Sequence, residues 1–342
     1  ANWSFGEADL TWITAYSEVE KSYEEDTDLS GVDGIDPSFA ADIAQFTQEF
    51  RLSGETDRLQ WIAGLYYFDT DVRGNLSNDV NWRGDYANIL DTAVFDGGLT
   101  AANGPIPNDA TLVDALSYDV DYTQDTQSVA AFGQVDFNLS ERFVLGAGLR
   151  YTSEERTLEY VNAMRADGSL LNVFFRDLVG LTEYFDFRTG VAGVGGLNRI
   201  ESDNLSGKVS LSFEATDDAL LYASASRGFK SGGFNAGFID QTDGLTPADI
   251  PYDEELLTAY EIGAKTDLLG RTLRVNTAIF YYDYEDFQAL TFQGLSQFIT
   301  NASATMRGAE VEVLWQPTTQ LELQLGGSYL DAAVDGVQDR NA

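Results

Sequence analysis

Cysteine and histidine are absent from this chain of 342 residues. Their absence excludes disulfide staples, thiolate nucleophiles and imidazole acid–base chemistry, though it does not exclude an oxidising compartment. Basic residues are scarce, 20 against 56 acidic ones, which gives a formal net charge of −36. Nucleic-acid binders carry basic stripes, so this balance argues against nucleic acid as a partner. No stretch approaches the roughly 18 apolar residues of a membrane helix. Ala1 to Glu7 has neither the basic start nor the apolar core of a signal peptide, and the expectation is a mature or truncated chain. Also missing are a G-x-S-x-G nucleophile elbow, a phosphate-cradling glycine loop and a calcium-loop D-x-D-x-D-G run with its closing glutamate. Paired carboxylates arise by chance among 56 acids. The chain therefore reads as a non-enzyme with no cofactor.

What is present is ample material for a fold. Hydrophobic residues make up 44% and aromatics 13%, too much for disorder despite the charge. The hydrophobic pattern has a period of two in many places. Phe46 to Leu52 alternates, turns at Ser53 to Asp57, and returns from Leu59 to Phe68 with Trp61, Ala63, Leu65 and Tyr67 on one face. Ser128 to Asn138 turns at Leu139 to Arg142 and rises as Phe143, Leu145, Ala147, Leu149 and Tyr151, with Arg142, Gly146, Gly148 and Arg150 opposite. Similar hairpins turn at Thr216 to Asp218, Leu268 to Arg271 and Gln316 to Gln320. Between them lie long segments: the acidic stretch Ser17 to Ala44, with nine acids against Lys21 alone, the irregular Asp71 to Gln124, and Leu158 to Ile200, partly helical near Leu170 to Leu181. The count is roughly eleven strands and five tight turns, all at one end.

Short turns at one end and long loops at the other are the signature of an outer-membrane barrel. A nine-residue apolar stripe such as Phe143 to Tyr151 extends about 26 Å along the strand, or roughly 20 Å after a 40° tilt, close to the ~25 Å apolar band of such barrels. Aromatics sit where two interfacial girdles would be: Trp61, Phe137, Phe143, Phe213 and Trp315 near the tight turns, Tyr67, Tyr151 and Tyr281 at the far ends. The expected fold is an all-β, antiparallel transmembrane β-barrel, present in part. A large soluble β-sandwich or propeller is the competing architecture.

The runs SRGFKSGGFN (Ser226 to Asn235), FTQEFRLSG (Phe46 to Gly54), AFGQVDFNLSER (Ala131 to Arg142), GLRYTSEER (Gly148 to Arg156) and YEIGAKTDLLG (Tyr260 to Gly270) resemble, as a set, the barrel of a TonB-dependent outer-membrane receptor. The resemblance touches nearly every strand. It implies a barrel of about twenty-two strands, a plug inside it, and energy from the inner-membrane TonB complex through a segment not found here. Residues 1–342 then read as an internal portion of such a barrel, without plug or terminal strands and with an odd strand number. The implied location is the outer membrane of a Gram-negative bacterium, in contact with lipid and lipopolysaccharide. The implied work is energised uptake of a ferric siderophore or similar small ligand, with vitamin B12 or an oligosaccharide behind it. The lack of histidine counts against haem. A passive porin or adhesin-like barrel is the rival.

The SRGFKSGGFN run enters an external loop, and its Gly232–Gly233 pair is expected to supply positive φ angles. Arg227, Phe229, Lys230 and Asn235 are placed to touch a substrate above the lumen, or else to anchor the strand end. Alternation puts Arg227 on the lipid side with Leu221, Ala223 and Ala225, and Lys230 on the lumen side with Ser224 and Ser226. Arg150 and Glu261 are further lumen candidates. With Glu49, Arg51, Glu154 and Lys265 they also suit ion-pair networks holding the wall or its plug. The acidic loops suit loose divalent bridging to lipopolysaccharide more than a built calcium site. Loop aromatics Trp82, Tyr86, Phe174, Phe175, Tyr184, Phe185 and Phe187 either stack on a ring-containing ligand or pack among themselves.

Overall fold

A computed structural model describes residues 1–25, 35–83, 111–113, 118–164, 184–237, 246–293 and 296–336. The strands are β1 (Asn2–Phe5), β2 (Ala8–Glu24), β3 (Ile35–Glu55), β4 (Leu59–Arg83), β5 (Thr111–Val113), β6 (Tyr118–Asn138), β7 (Phe143–Met164) and β8 (Tyr184–Phe187). They continue as β9 (Arg199–Thr216), β10 (Ala219–Lys230), β11 (Gly233–Phe234), β12 (Pro251–Tyr252), β13 (Glu255–Leu268), β14 (Leu273–Gln293), β15 (Ser296–Thr318) and β16 (Leu321–Asp335). Helical structure among the described residues is confined to a 3-10 turn at Pro247–Asp249. The helix expected near Leu170 to Leu181 lies outside the described residues, as do Tyr86, Phe174 and Phe175.

One sheet holds fourteen of the strands, and twelve of these follow each other in the order β1-β2-β3-β4-β6-β7-β9-β10-β13-β14-β15-β16. Every step is antiparallel, so each strand pairs with its neighbours in the chain. Two departures from the sequence reading follow. The stretch Phe5 to Tyr16, which reads in the sequence as a single strand, is instead the end of β1, a turn at Gly6 and the start of β2. Gly6 adopts φ +66°, a left-handed value that a β-carbon disfavours, and the turn closes on it. The wall thus has twelve principal strands in the described residues, not an odd eleven, and six tight turns at one end. The strands also run far beyond the apolar stripes. Ser17 to Glu24, Ile35 to Ala44, Asp71 to Arg83 and Leu158 to Met164 are ladder, not loop. The outward apolar stripe stops where the bilayer stops, whereas backbone pairing continues into water.

The tight turn between β13 and β14 places Leu269, Gly270 and Arg271 in succession at φ 51°, 66° and 67°. Glycine carries this readily, and each of its two neighbours adds roughly 1–2 kcal/mol of strain. Arg271 Nε donates to Asp218 Oδ1 of the adjacent β9–β10 turn at 2.7 Å, tying the two turns together.

The outward face is apolar over one band. Trp61, Ala63, Leu65 and Tyr67 pair in register with Val135, Gly133, Ala131 and Val129. Phe143, Leu145, Ala147, Leu149 and Tyr151 pair with Phe213, Leu211, Val209, Gly207 and Leu205. Many of these apolar side chains are exposed, Leu65 at 61% and Leu149 at 58%, which in water would be a large uncompensated surface and in lipid is the required one. Stacked rings mark the turn end: Trp3 on Trp12 at 6.4 Å, Trp12 on Phe50 at 5.6 Å and Phe143 on Phe213 at 4.4 Å. At the other edge the tyrosine hydroxyls donate to carboxylates lying just above the band: Tyr16 to Glu18 at 2.5 Å, Tyr67 to Asp69 at 2.9 Å and Tyr151 to Asp203 at 2.9 Å. An amphipathic ring with its polar end on a charged group is what an interface selects.

Candidate functional site

Facing inward, the same registers lay side chains out in rows across the wall. One row is Gly64, Phe132, Arg150, Ser206; beside it, towards the tight turns, runs Ile62, Gln134, Gly148, Lys208, Ser226, Ala259. The next is Gln60, Asp136, Gly146, Ser210, Ser224, Glu261, Phe280, Gly308. Hydroxyls, amides and charges dominate, as a water-lined interior allows. Several charges are paired within a strand: Arg51 to Glu49 at 2.6 Å and Arg156 to Glu154 at 2.8 Å. Arg274 bonds across to Asp267 at 2.7 Å. Glu261 accepts from the Tyr222 hydroxyl at 2.7 Å, and Lys265 Nζ lies 6.0 Å from the centre of that ring. Arg150 is different. Its guanidinium lies 5.4 Å from the ring centre of Tyr66 and 5.8 Å from that of Phe132, and Nε donates to Thr152 Oγ1 at 3.1 Å.

Above these rows the outer segments fold back against the wall. Val120, Leu158, Tyr160, Phe187, Val194, Phe234, Ile250 and Phe298 form a buried apolar cluster drawn from several separated stretches. Polar ties surround it. The Tyr160 hydroxyl bonds the carbonyl of Gly237. Asn235 Nδ2 donates to the carbonyls of Asp249 and Ile299 at 3.1 and 3.2 Å, and its Oδ1 accepts from Ile299 N at 2.7 Å. Gln288 Nε2 donates to the Ser231 and Asp253 carbonyls. The Glu254 carboxylate accepts from Asn204 Nδ2 at 2.6 Å and from Ser202. Residues 231–237 and 246–254 are thereby fastened to β9, β14 and β15.

Gly232 and Gly233 serve this docking, and not in the way expected. Neither has a positive φ. A β-carbon on Gly232 would meet the Tyr252 carbonyl oxygen at 2.6 Å, and one on Gly233 would run into the Tyr252 ring. Close approach of β11 to β12 is what requires them.

The candidate residues fall in different places. In β10, Arg227 shares the exposed outward face of Leu221 and Ala223, pairs with Thr258, and has Phe229 on the same face two residues on. Lys230 points the other way, opposite Glu255 in register. Arg150 and Glu261 are both lumen-facing but stand in different rows and three strand steps apart. Asn235 is only 8% exposed, its amide spent on the backbone contacts above. The structure therefore gathers no single cluster from the six. Phe187 packs inside the mouth cluster, and Trp82, Tyr184 and Phe185 fall in strands. Sequence reading passed over Lys208, which alternates with serines in a way that gives its facing but not its neighbours. It also passed over the platform of Tyr66 and Phe132, which becomes visible only once β4, β6 and β7 are in register.

Among known proteins, the family model described as TonB dependent receptor-like, beta-barrel matches residues 1–342. The pesticin receptor of Yersinia pestis is 26% identical over 191 residues, covering 56% of this chain and 24% of that protein. The probable TonB-dependent siderophore receptor PiuA of Acinetobacter baumannii is 21% identical over 262 residues, covering 77% and 30%. The chain thus spans about a quarter to a third of the curated relatives it matches. The crystal structure of the ferric yersiniabactin uptake receptor FyuA from Yersinia pestis superposes with a TM-score of 0.68 at 18% identity, over 97% of this chain and 41% of that one. Members of this family are proteins of the Gram-negative outer membrane, which is where the exposed apolar band finds its solvent. The chain belongs to the TonB-dependent receptor β-barrel family.

Proposed function

We propose that this chain is part of the wall of a receptor that carries a ferric siderophore across the outer membrane, energised through the TonB complex and surrounded by lipid and lipopolysaccharide. The observation that carries the reading is a membrane-spanning wall whose inner face is polar and whose outer segments pack inward over it. A plain pore gains nothing from a mouth so closely fastened. The names of PiuA, a siderophore receptor, and FyuA, a ferric yersiniabactin uptake receptor, support the same class of cargo. In this reading Lys230 meets the cargo from the lumen side of the mouth and Arg227 anchors the strand at the outer interface. Arg150 and Glu261 line the path below, Phe229 packs beside Arg227, and Asn235 holds the mouth in shape.

Cells carrying the whole receptor test it, using uptake of radioactive iron supplied as the siderophore on which they grow. Accumulation is expected to stop when the proton gradient is collapsed or the TonB complex is deleted. Uptake that continues in de-energised cells would identify a passive pore. At matched folding yield, Lys230→Ala is expected to weaken binding of that siderophore by up to the few kcal/mol of a charge-assisted contact. Arg227→Ala should lower stability and leave affinity alone. A loss of affinity in Arg227→Ala with none in Lys230→Ala would remove Lys230 from the site.

A further inference from the structure

Where the outward face leaves the apolar band it turns acidic, and the arginines placed there are answered by carboxylates. Among the described side chains, Arg73 holds Asp71 at 3.1 Å, Arg199 holds Glu155 at 2.8 Å and Arg307 holds Asp331 at 2.7 Å. Arg227, on the same outward face, has no carboxylate partner among the described residues. It stands one outward step above the Ala225 row, in which Tyr260 and Tyr281 pair as part of the outer girdle. Its cross-strand neighbours are Gly207 on β9 and Thr258 on β13, so no bulky side chain crowds the guanidinium. Below it along β10, Ala225 and Ala223 floor a furrow of about 360 Å3 on the lipid face. Val209 and Leu211 wall it on one side, Tyr260 and Ile262 on the other, each in register with one of the two alanines. Leu221, beside Phe213, closes the lower end. A second furrow on this face, floored by Ala131 between Leu65 and Tyr151, rises instead towards Asp69 and Glu155.

Lipid tails are as apolar as the furrow, so entering it brings no hydrophobic gain, and its shape decides where a chain can lie. Selection falls to the charge. A guanidinium at the edge of hydrocarbon is costly without a counter-charge, and a phosphate at that height supplies one, accepting two parallel hydrogen bonds from the planar fork. The furrow of Ala131 offers a phosphate nothing but repulsion from Asp69 and Glu155. We propose that Arg227 and the alanine furrow beneath it are a docking site for one phosphate-bearing lipid, the lipopolysaccharide of the outer leaflet. Its lipid A phosphate lies on the guanidinium, and one of its acyl chains runs down past Ala225 and Ala223. The site rests on the reading above in one respect, that lipopolysaccharide surrounds this end of the wall, and transport does not enter it.

The whole receptor, purified in dodecyl maltoside, is titrated with lipid A carrying its phosphates and with lipid A stripped of them by a phosphatase, and native mass spectrometry counts the lipid retained. Wild type is expected to hold the phosphorylated form, and Arg227→Gln to hold it about tenfold more weakly, the loss of one charge-assisted contact. Arg227→Lys, which keeps the charge but loses the fork, should fall between. Ala225→Phe fills the furrow and leaves the guanidinium in place, and should weaken binding severalfold, whereas Ala131→Phe should match wild type. Excess inorganic phosphate should not displace the lipid. Circular dichroism and resistance of the folded band to detergent gels confirm equal folding, so a general loss of structure is recognised as such. Equal retention of the stripped lipid, equal affinity in Arg227→Gln, displacement by inorganic phosphate, or the same loss in Ala131→Phe as in Ala225→Phe each overturns the site. Retention that depends on Arg227 in a receptor that imports no iron would leave the site standing and remove the uptake reading instead.

Discussion

Replacing Val209 with arginine should destabilise the folded barrel in a lipid bilayer by about 2–4 kcal/mol, the cost of a charge on the lipid face near the midplane. Val209 lies midway along the outward stripe of β9 that runs from Leu205 to Phe213, and it pairs with Ala147 at the middle of the β7 stripe. Its side chain is 49% exposed, so the arginine would face hydrocarbon and not a neighbour. From the middle of the band the charge reaches neither girdle without bending the strand. The same substitution at Ser224 points into the lumen, in the row of Glu261, and should cost well under 1 kcal/mol. Urea titration of refolded receptor in vesicles measures both. Similar stability for the two variants would mean that the outward face is not the lipid face.

The second large effect is local. Asn235→Leu keeps the volume of the side chain but removes its three hydrogen bonds, leaving the Ile299 amide and the carbonyls of Asp249 and Ile299 without their partner in a buried place. Each such group costs roughly 1–3 kcal/mol when left unsatisfied. The stretch around Asn235 should then detach from β15, with hydrogen exchange at the Ile299 amide accelerated about a hundredfold. Amides of the β7–β9 ladder should exchange as before, because their bonds do not depend on the mouth. Exchange at Ile299 unchanged from wild type would show that the apolar cluster alone holds the segment.

The barrel itself was legible in the chain because a period of two is a local signal. Phe143 to Tyr151 announces its two faces without help from any other strand, and the facing of Arg227 and Lys230 follows from the same alternation. Strand ends were not legible. In Asp71 to Arg83 the apolar residues Val72, Leu76, Val80 and Trp82 fall on even positions, the opposite parity to Trp61, Ala63, Leu65 and Tyr67, so the stretch does not continue the stripe below it and only the ladder to β3 and β6 reveals the strand. The turn at Gly6 hid inside what reads as one strand from Phe5 to Tyr16. The mouth was hidden more deeply, because Tyr160, Phe187, Phe234 and Phe298 are far apart in sequence and each alone is an ordinary aromatic. The candidate site suffered in the same way. Arg150 is visible as an inward arginine, but whether a carboxylate answers it depends on the registers of β4, β6, β7 and β9 together.

The wall is joined by backbone hydrogen bonds between strands adjacent in the chain, and these are indifferent to which side chains they carry. An inward residue such as Lys208 or Ser226 can therefore be exchanged over evolutionary time with little penalty to the architecture, provided the outward residue beside it stays apolar. That separates two kinds of inheritance in one strand: alternate positions are held by the bilayer, and those between them are free to drift. An 18% identity alongside a TM-score of 0.68 is the expected trace of such a history. The mouth has less freedom, because the side chains of Asn235 and Tyr160 answer main-chain groups of Ile299 and Gly237 across 64 and 77 residues, so those two side chains are themselves held in place.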